Sequence, residues 1–251
     1  MQAVTIGIGA GEEPEKVLAS VRALDIRSRV VIYCRPGTFP EGTGNIVTSE
    51  SEHPEHHLVD DLFSGRIQAA LRGSLPANAT LSALKKAAGV GSLERAALLE
   101  TASGHLFFLA PVGVDEGWTV QEKVAMIGKV RRLAENFGLS PRVAILSGGR
   151  FGDVGRHPQV DRTLADAELV ARLTGETHFE ILIEEAIHEA GVIIAPDGIS
   201  GNLIFRTLTF LGSGQGHGAP VLNIDKIFVD TSRASPDYAN AIRLAESMLK
   251  S

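Results

Sequence analysis

The stretch IIAPDGISGNLIFRTLTFLG, Ile193 to Gly212, followed by VDTSRASPDYANAIRLAESM, Val229 to Met248, decides how this chain folds. Ile193-Ile194-Ala195 reads as the end of a buried strand, and Pro196-Asp197-Gly198 breaks it. Ser200 is then placed to cap a helix that carries Asn202 and Arg206. The second half repeats the grammar, because Ser232-Arg233 stands at a turn before a helix from Tyr238 to Leu249, with Ser235 or Asp237 available as caps. Polar groups thus gather where strands end, which is where open α/β sheets bind ligands.

Outward from this stretch, short Val- and Ile-rich runs alternate with longer amphipathic segments, the pattern of an α/β fold on mostly parallel sheets. Strands are expected at Ala3 to Ile8, Arg29 to Tyr33, Ile67 to Leu71, Leu106 to Leu109, Val143 to Leu146, Val192 to Ala195 and Val221 to Ile224. The helix expected from Val120 to Phe137 carries Val124, Ile127, Val130, Leu133 and Ala134 at helical spacing, with Gly138 as its stop. Asp166 to Leu173 belongs to another. No repeat or Gly/Ser linker marks a boundary, so the crossings between strand-helix series fall near Gly104 and Gly218.

At 251 residues the chain can bury one large core or two modest ones. Its 24 basic against 30 acidic side chains leave a formal charge of −6 with no basic run, which excludes a duplex-binding face. The single cysteine, Cys34, rules out an intrachain disulfide framework and is expected in the core. The opening residues lack the basic and apolar regions of a signal peptide, and no segment reaches membrane-spanning length. A soluble, cytoplasmic protein with neither membrane nor nucleic acid as partner is therefore expected.

Several constellations are candidates for chemistry. Gly7, Gly9 and Gly11 follow a strand, but Glu12 stands where a dinucleotide fingerprint needs glycine, so a tight strand-to-helix turn is the reading taken. Arg72-Gly73 follows an apolar run and precedes a helix that Asn78 or Thr80 can cap; exposed amides and the guanidinium there suit phosphate, while a solvated loop arginine remains open. The glycine-rich turn with Ser147, Arg150 and Arg156 offers either a grip on phosphate or an ordinary loop. His53, His56 and His57 lack a second ligand cluster, so no metal is expected. Gly212-Ser213-Gly214 follows a helix, which disfavours a serine-hydrolase elbow. Ser232, Arg233 and Asp237 combine a hydroxyl, a cation and a carboxylate, or simply cap the last helix.

Taken in order, Pro196-Asp197, Gly201-Asn202, Arg206 and Ser232-Arg233 resemble the C-terminal portion of the phosphate acetyl- and butyryltransferases. ALRGSLPANATLSAL and LSGGRFGDVG are similar to two further segments of that superfamily, so the resemblance runs from about Ile67 to the C-terminus. RGSLPANATL and FFLAPVGVDEGWTVQEK look most like the methanogenesis-marker, methyltransferase-related MtxX group. The resemblance implies an archaeal source and a phosphate acyltransferase-like fold, related to isocitrate and isopropylmalate dehydrogenases. That fold has two α/β domains flanking a cleft: a discontinuous one from 1–104 and 219–251, and an inserted one from 105–218.

By the same resemblance a phosphate or acyl phosphate is held beside coenzyme A or a related thiol, and an acyl group passes to or from phosphate. Ser232, Arg233 and Asp237 take catalytic roles, although the acetyltransferases place their carboxylate farther beyond the Ser-Arg pair than Asp237 lies. Arg72, Gly73, Ser147, Arg150, Asp197, Asn202 and Arg206 take phosphate or cofactor, no metal takes part, and the assembly is a homodimer. Two alternatives belong to other classes: a methyltransferase subunit acting with a corrinoid or pterin partner, and a noncatalytic ligand-sensing or assembly protein.

Overall fold

The computed structural model describes residues 4–249. Along the chain run β1 (Thr5–Gly9), α1 (Pro14–Arg22), β2 (Arg29–Cys34), β3 (Val47–Glu50), α2 (Pro54–Phe63), β4 (Ala69–Leu71), α3 (Ala77–Ala88), β5 (Ala97–Glu100), β6 (Leu106–Ala110) and α4 (Val120–Asn136). They continue with β7 (Val143–Ile145), α5 (Pro158–Thr174), β8 (Thr177–His178), α6 (Ile183–Glu189), β9 (Val192–Ile194), α7 (Gly198–Phe210), β10 (Gln215–Gly216), β11 (Ala219–Pro220), β12 (Ile227–Asp230) and α8 (Ala239–Met248). They form two compact units, Met1–Gly91 with His217–Ser251, and Ser92–Gly216.

In the first unit the sheet order is β11-β12-β4-β1-β2-β3, and every pair except β11–β12 is parallel. Strand β1 therefore has β2 on one side and β4 on the other, the reversal of order at which α/β sheets open a crevice. Ile6, Ile8, Ile32, Leu58, Leu62, Leu71 and Phe228 fill the core. Helix α2 packs on β1, β2 and β4, while α8 packs on β12, β4 and β1. The glycines of β1 answer to packing: a Cβ on Gly7 would meet Ile67, Leu58 and Tyr33 within 2.9 Å, and one on Gly9 would lie 2.1 Å from Leu75. Cys34 is a buried free thiol, and burial pushes its pKa up.

The second unit has the order β10-β5-β6-β9-β7-β8, with β6, β9, β7 and β8 parallel and β5 and β10 antiparallel additions at one side. Phe107, Phe108, Leu109, Ile145 and Val192 to Ile194 form its centre. Helix α4 begins with a capping box, in which Thr119 Oγ1 accepts from Glu122 N at 3.2 Å and Glu122 Oε2 accepts from Thr119 N at 3.0 Å.

The structure moves several expected boundaries. Val221 to Ile224 is no strand; the pairing segment is β12, six residues farther on, where Ile227, Phe228 and Val229 align with β4. The cap of α7 is Asp197, which accepts from Ser200 N at 2.8 Å, so Ser200 is the donor and lies inside the helix. Likewise Asn78 and Thr80 lie within α3, and Thr80 Oγ1 donates back to Pro76 O. The first crossing between units falls at Gly91–Ser92, ahead of Gly104, because β5 pairs with β6 as a hairpin of the second sheet.

Candidate functional site

Parallel register sets Ile8, Leu71 and Val229 level with one another, so the chain leaves β1, β4 and β12 at a common edge. The three exits are knitted together. Ser74 N donates to Gly9 O at 3.1 Å, Gly11 N donates to Ser74 Oγ at 3.0 Å, and Thr231 Oγ1 donates to Gly73 O at 2.8 Å. Gly73 makes the approach feasible at φ +60, since a Cβ there would stand 2.0 Å from the Gly9 carbonyl oxygen.

Arg72 is a buried strut of this edge. Its Nε donates to Asp230 Oδ1 at 2.5 Å and its NH1 to the Leu75 carbonyl at 3.0 Å, with only 6% of the side chain exposed. It tethers the end of β12 to the turn after β4. Direct contact with a ligand would need part of that pairing to open, and a buried charge that loses its partner is destabilised by about 3–5 kcal/mol.

Arg233 is exposed at the same edge and pairs with Glu12, while its carbonyl accepts from Lys16 Nζ at 2.8 Å. Lys16 Nζ also reaches Glu13 Oε2 at 2.7 Å. Ser232 Oγ accepts from Ala234 N at 3.2 Å, leaving its proton free to be donated. Asp237 is exposed, and its Oδ1 accepts from Ala239 N at 2.9 Å where α8 begins. Asp237 thus bonds the first residue of α8 from just outside the helix, whose N-cap residue is Tyr238 and carries no side-chain cap bond.

The second unit builds a comparable edge, since Ala110 and Ile145 both pair with Ile194. Helix α7 starts hard against the exit of β6: a Cβ on Gly198 would lie 1.6 Å from Gly113 O and one on Gly201 1.9 Å from Pro111 O. Asn202 Nδ2 donates to Val112 O at 2.9 Å, which pins the same loop. The loop is braced from below by buried Glu116, which accepts from Arg95 Nε at 2.6 Å and Gly113 N at 3.1 Å. Burial holds the Glu116 carboxyl above its usual pKa, against the opposing pull of Arg95.

Ser147 is buried in this edge. Its Oγ donates to Gly149 O at 2.9 Å and lies 2.9 Å from His178 Nε2, whose Nδ1 is 2.7 Å from Glu168 Oε1. With 1% of Ser147 exposed, this Ser-His-Glu chain fixes the glycine turn and does not present a nucleophile. Arg150 is exposed beyond it, and Arg206 is exposed along α7 with its guanidinium 5.2 Å from the Phe210 ring.

No family model matches the chain. A protein of Methanosarcina mazei named "Putative methyltransferase mtx subunit X" is 50% identical over 212 residues, covering 82% of this chain and 75% of its own. The chain belongs to the MtxX family. An uncharacterized methyltransferase of Methanopyrus kandleri is 38% identical over 262 residues, or 97% of this chain and 98% of that one. Among solved structures, a branched-chain phosphotransacylase from Enterococcus faecalis resembles it with a TM-score of 0.74 at 18% identity, across 98% of this chain and 99% of that chain. This MtxX-family chain therefore has the two-domain α/β fold of the phosphotransacylases.

Of the residues singled out in the sequence, Arg72, Gly73, Ser232, Arg233 and Asp237 lie in the first unit, and Ser147, Arg150, Asp197, Asn202 and Arg206 in the second. Sequence reasoning missed Lys123, a buried side chain on α4 whose pKa is lowered by burial against the attraction of Asp166 and Asp197. A signal was present: Lys123 falls on the same helical stripe as Met126, Ile127 and Val130, where a cation is out of place. It also missed Lys16 beside Arg233, for which a separation of 217 positions in sequence left no local sign.

Proposed function

We propose that this protein binds phosphate or an acyl phosphate at the carboxyl edge of its first unit, takes a coenzyme A-like thiol as co-substrate, and transfers an acyl group between them. The reading rests on one observation: the exposed Arg233 and the free Ser232 hydroxyl leave β12 together, in a chain with the phosphotransacylase fold. An exposed guanidinium beside a hydroxyl donor suits an oxyanion by charge-assisted hydrogen bonding.

In the direction of acyl-thioester formation, the thiolate sulfur attacks the acyl phosphate carbonyl. The C–S bond forms, the C–O bond to phosphate breaks, and phosphate departs with the bonding pair. Arg233 would hold the phosphate or the developing oxyanion, Ser232 would donate to the reacting group, and Asp237 would receive the thiol proton. Arg72 and Gly73 would shape the pocket, Arg72 through its pair with Asp230. In the second unit Ser147 would hold the turn that carries Arg150, and Asp197 and Asn202 the helix that carries Arg206, two exposed guanidinium groups of a kind that suits phosphate.

The test is to incubate the purified protein with acetyl- or butyryl-coenzyme A and inorganic phosphate and follow thiol release. Wild type is expected to release thiol, and Arg233→Ala to lose about 100-fold or more, the usual penalty for removing one donor to a developing oxyanion. Absence of release with every short acyl chain overturns the reading.

A second reading follows from the relatives, whose names call them methyltransferases. On it, the chain is a methyl-transfer subunit working with a corrinoid or pterin partner. Calorimetric binding of S-adenosylmethionine with none of coenzyme A, or co-purification with a corrinoid protein, would favour it. A homodimer belongs to the first proposal by analogy, and light scattering that gives the mass of a single chain removes that part.

A further inference from the structure

Tyr238 is 1% exposed, and its hydroxyl has no hydrogen-bond partner among the described residues. Buried phenols ordinarily find one, and an unmade bond at such a group is destabilising. The residue is held firmly, for its backbone N–H donates to the buried Ser20 Oγ on α1 at 3.0 Å. Its ring lies under Lys16, whose Nζ is 5.7 Å from the ring centroid. The same Lys16 Nζ donates to the Arg233 carbonyl at 2.8 Å, so Tyr238 sits beside the turn by which the chain leaves β12. Burial pushes its pKa up to about 12, and the group is a neutral donor at any physiological pH.

Lys16 and Arg233 are already engaged, and by carboxylates from a single turn. Glu12 pairs with Arg233 and Glu13 with Lys16, while Lys16 also donates to the Arg233 carbonyl. Glu13 sits at φ +47, a left-handed conformation costly for a side chain of this size, and makes no cap bond to α1. The turn thus holds two acidic groups against two cations beside a hydroxyl that lacks an acceptor.

We propose that Tyr238 Oη, Lys16 Nζ and the Arg233 guanidinium form one subsite for a phosphate oxyanion, and that Glu12 and Glu13 occupy its cations until the phosphate displaces them. The subsite deepens the reading given above, which places a phosphate-bearing ligand at this edge. It adds a neutral donor and a second cation that the reaction itself does not require. The phosphate belongs either to the free anion or to the nucleotide end of a cofactor, and the chemistry recognised is the same.

The experiment titrates inorganic phosphate and, separately, adenosine 3′,5′-bisphosphate into the full chain by calorimetry, for wild type, Tyr238→Phe and Glu12→Gln. Tyr238→Phe is expected to weaken binding about three- to tenfold, the worth of one neutral hydrogen bond. Its melting temperature should equal or exceed that of wild type, because the hydroxyl it deletes has no partner in the free protein. Glu12→Gln is expected to tighten binding about two- to fivefold, since an exposed ion pair is a weak competitor. The anion that shows these shifts is the one the subsite takes.

Equal phosphate affinity in wild type and Tyr238→Phe overturns the subsite, as does wild type that binds neither anion. A Tyr238→Phe protein that melts well below wild type also overturns it, by showing the hydroxyl to be structural. Failure of the acyl-transfer reading is separate. Binding that depends on Tyr238 without any thiol release leaves the subsite standing and removes the reaction; thiol release unaffected by Tyr238→Phe does the reverse.

Discussion

Gly73 joins two demands in one residue: a left-handed backbone, and a Cα so near the Gly9 carbonyl that any Cβ would be 2.0 Å away. The first demand disfavours alanine by about 1 kcal/mol, and the second cannot be met without moving β1 or the Arg72 turn. Gly73→Ala is accordingly expected to destabilise the protein by about 2–4 kcal/mol, read as a lower midpoint in urea. A substitution within about 0.5 kcal/mol of wild type would show that the turn yields freely and does not position Arg233's edge. The Gly-x-Gly-x-Gly run that meets this turn reads in the sequence as a tight strand-to-helix corner, yet Gly7 and Gly9 lie within β1 and only Gly11 follows it. What could not be read was its partner: Leu75 and Ser74, which make Gly9 and Gly11 necessary, lie on another crossover.

At the scale of elements, the strands that were legible are those whose side chains are buried on both faces, such as β4, β6 and β9, since burial forces an apolar run. The rest escaped for identifiable reasons. Strand β3 is Val-Thr-Ser-Glu at a sheet edge and β8 is Thr-His, too polar and short to stand out. Strand β5 reads Ala-Leu-Leu-Glu, good helix formers made extended by pairing with β6. The Ser147–His178–Glu168 chain and the Arg72–Asp230 pair join residues far apart in sequence and carried no motif. Helix α4 offers a test of another kind, because Lys123 left a signal that was passed over, a cation on an apolar stripe. Its folded-state pKa is lowered, so in the alkaline window just beneath the ordinary lysine value the unfolded chain holds more protons. Stability must then rise with pH through that window as the buried ammonium is discharged. Lys123→Met is expected to flatten that rise and to be at least as stable as wild type at neutral pH, as measured by urea unfolding at several pH values. An unchanged pH slope would mean that Lys123 keeps an ordinary lysine pKa.

At the scale of the whole molecule, the two units differ in how the chain supplies them. The second is one continuous segment, Ser92–Gly216, with its own sheet from β10 to β8 and a core of Phe107, Phe108, Ile145 and Val192 to Ile194. The first depends on a return of the chain: β12 pairs with β4 along its length, and α8 packs on β12, β4 and β1. Removing everything after residue 216 would strip the neighbour from β4, a strand whose every residue is buried, and expose the apolar face that α8 covers. It would also leave Arg72 a buried cation without Asp230. Contiguity, core and closed pairing are what an autonomous domain needs. The fragment 92–216 is therefore expected to be soluble and to unfold cooperatively, with dispersed amide resonances, whereas the fragment 1–91 alone is expected to aggregate or to show no cooperative transition. Adding a peptide spanning 217–251 to fragment 1–91 should restore a cooperative transition, because it supplies β12, Asp230 and α8 together. Cooperative folding of fragment 1–91 without that peptide would show that β4 finds its core without the returning chain, and that Arg233's edge is added to a unit already complete.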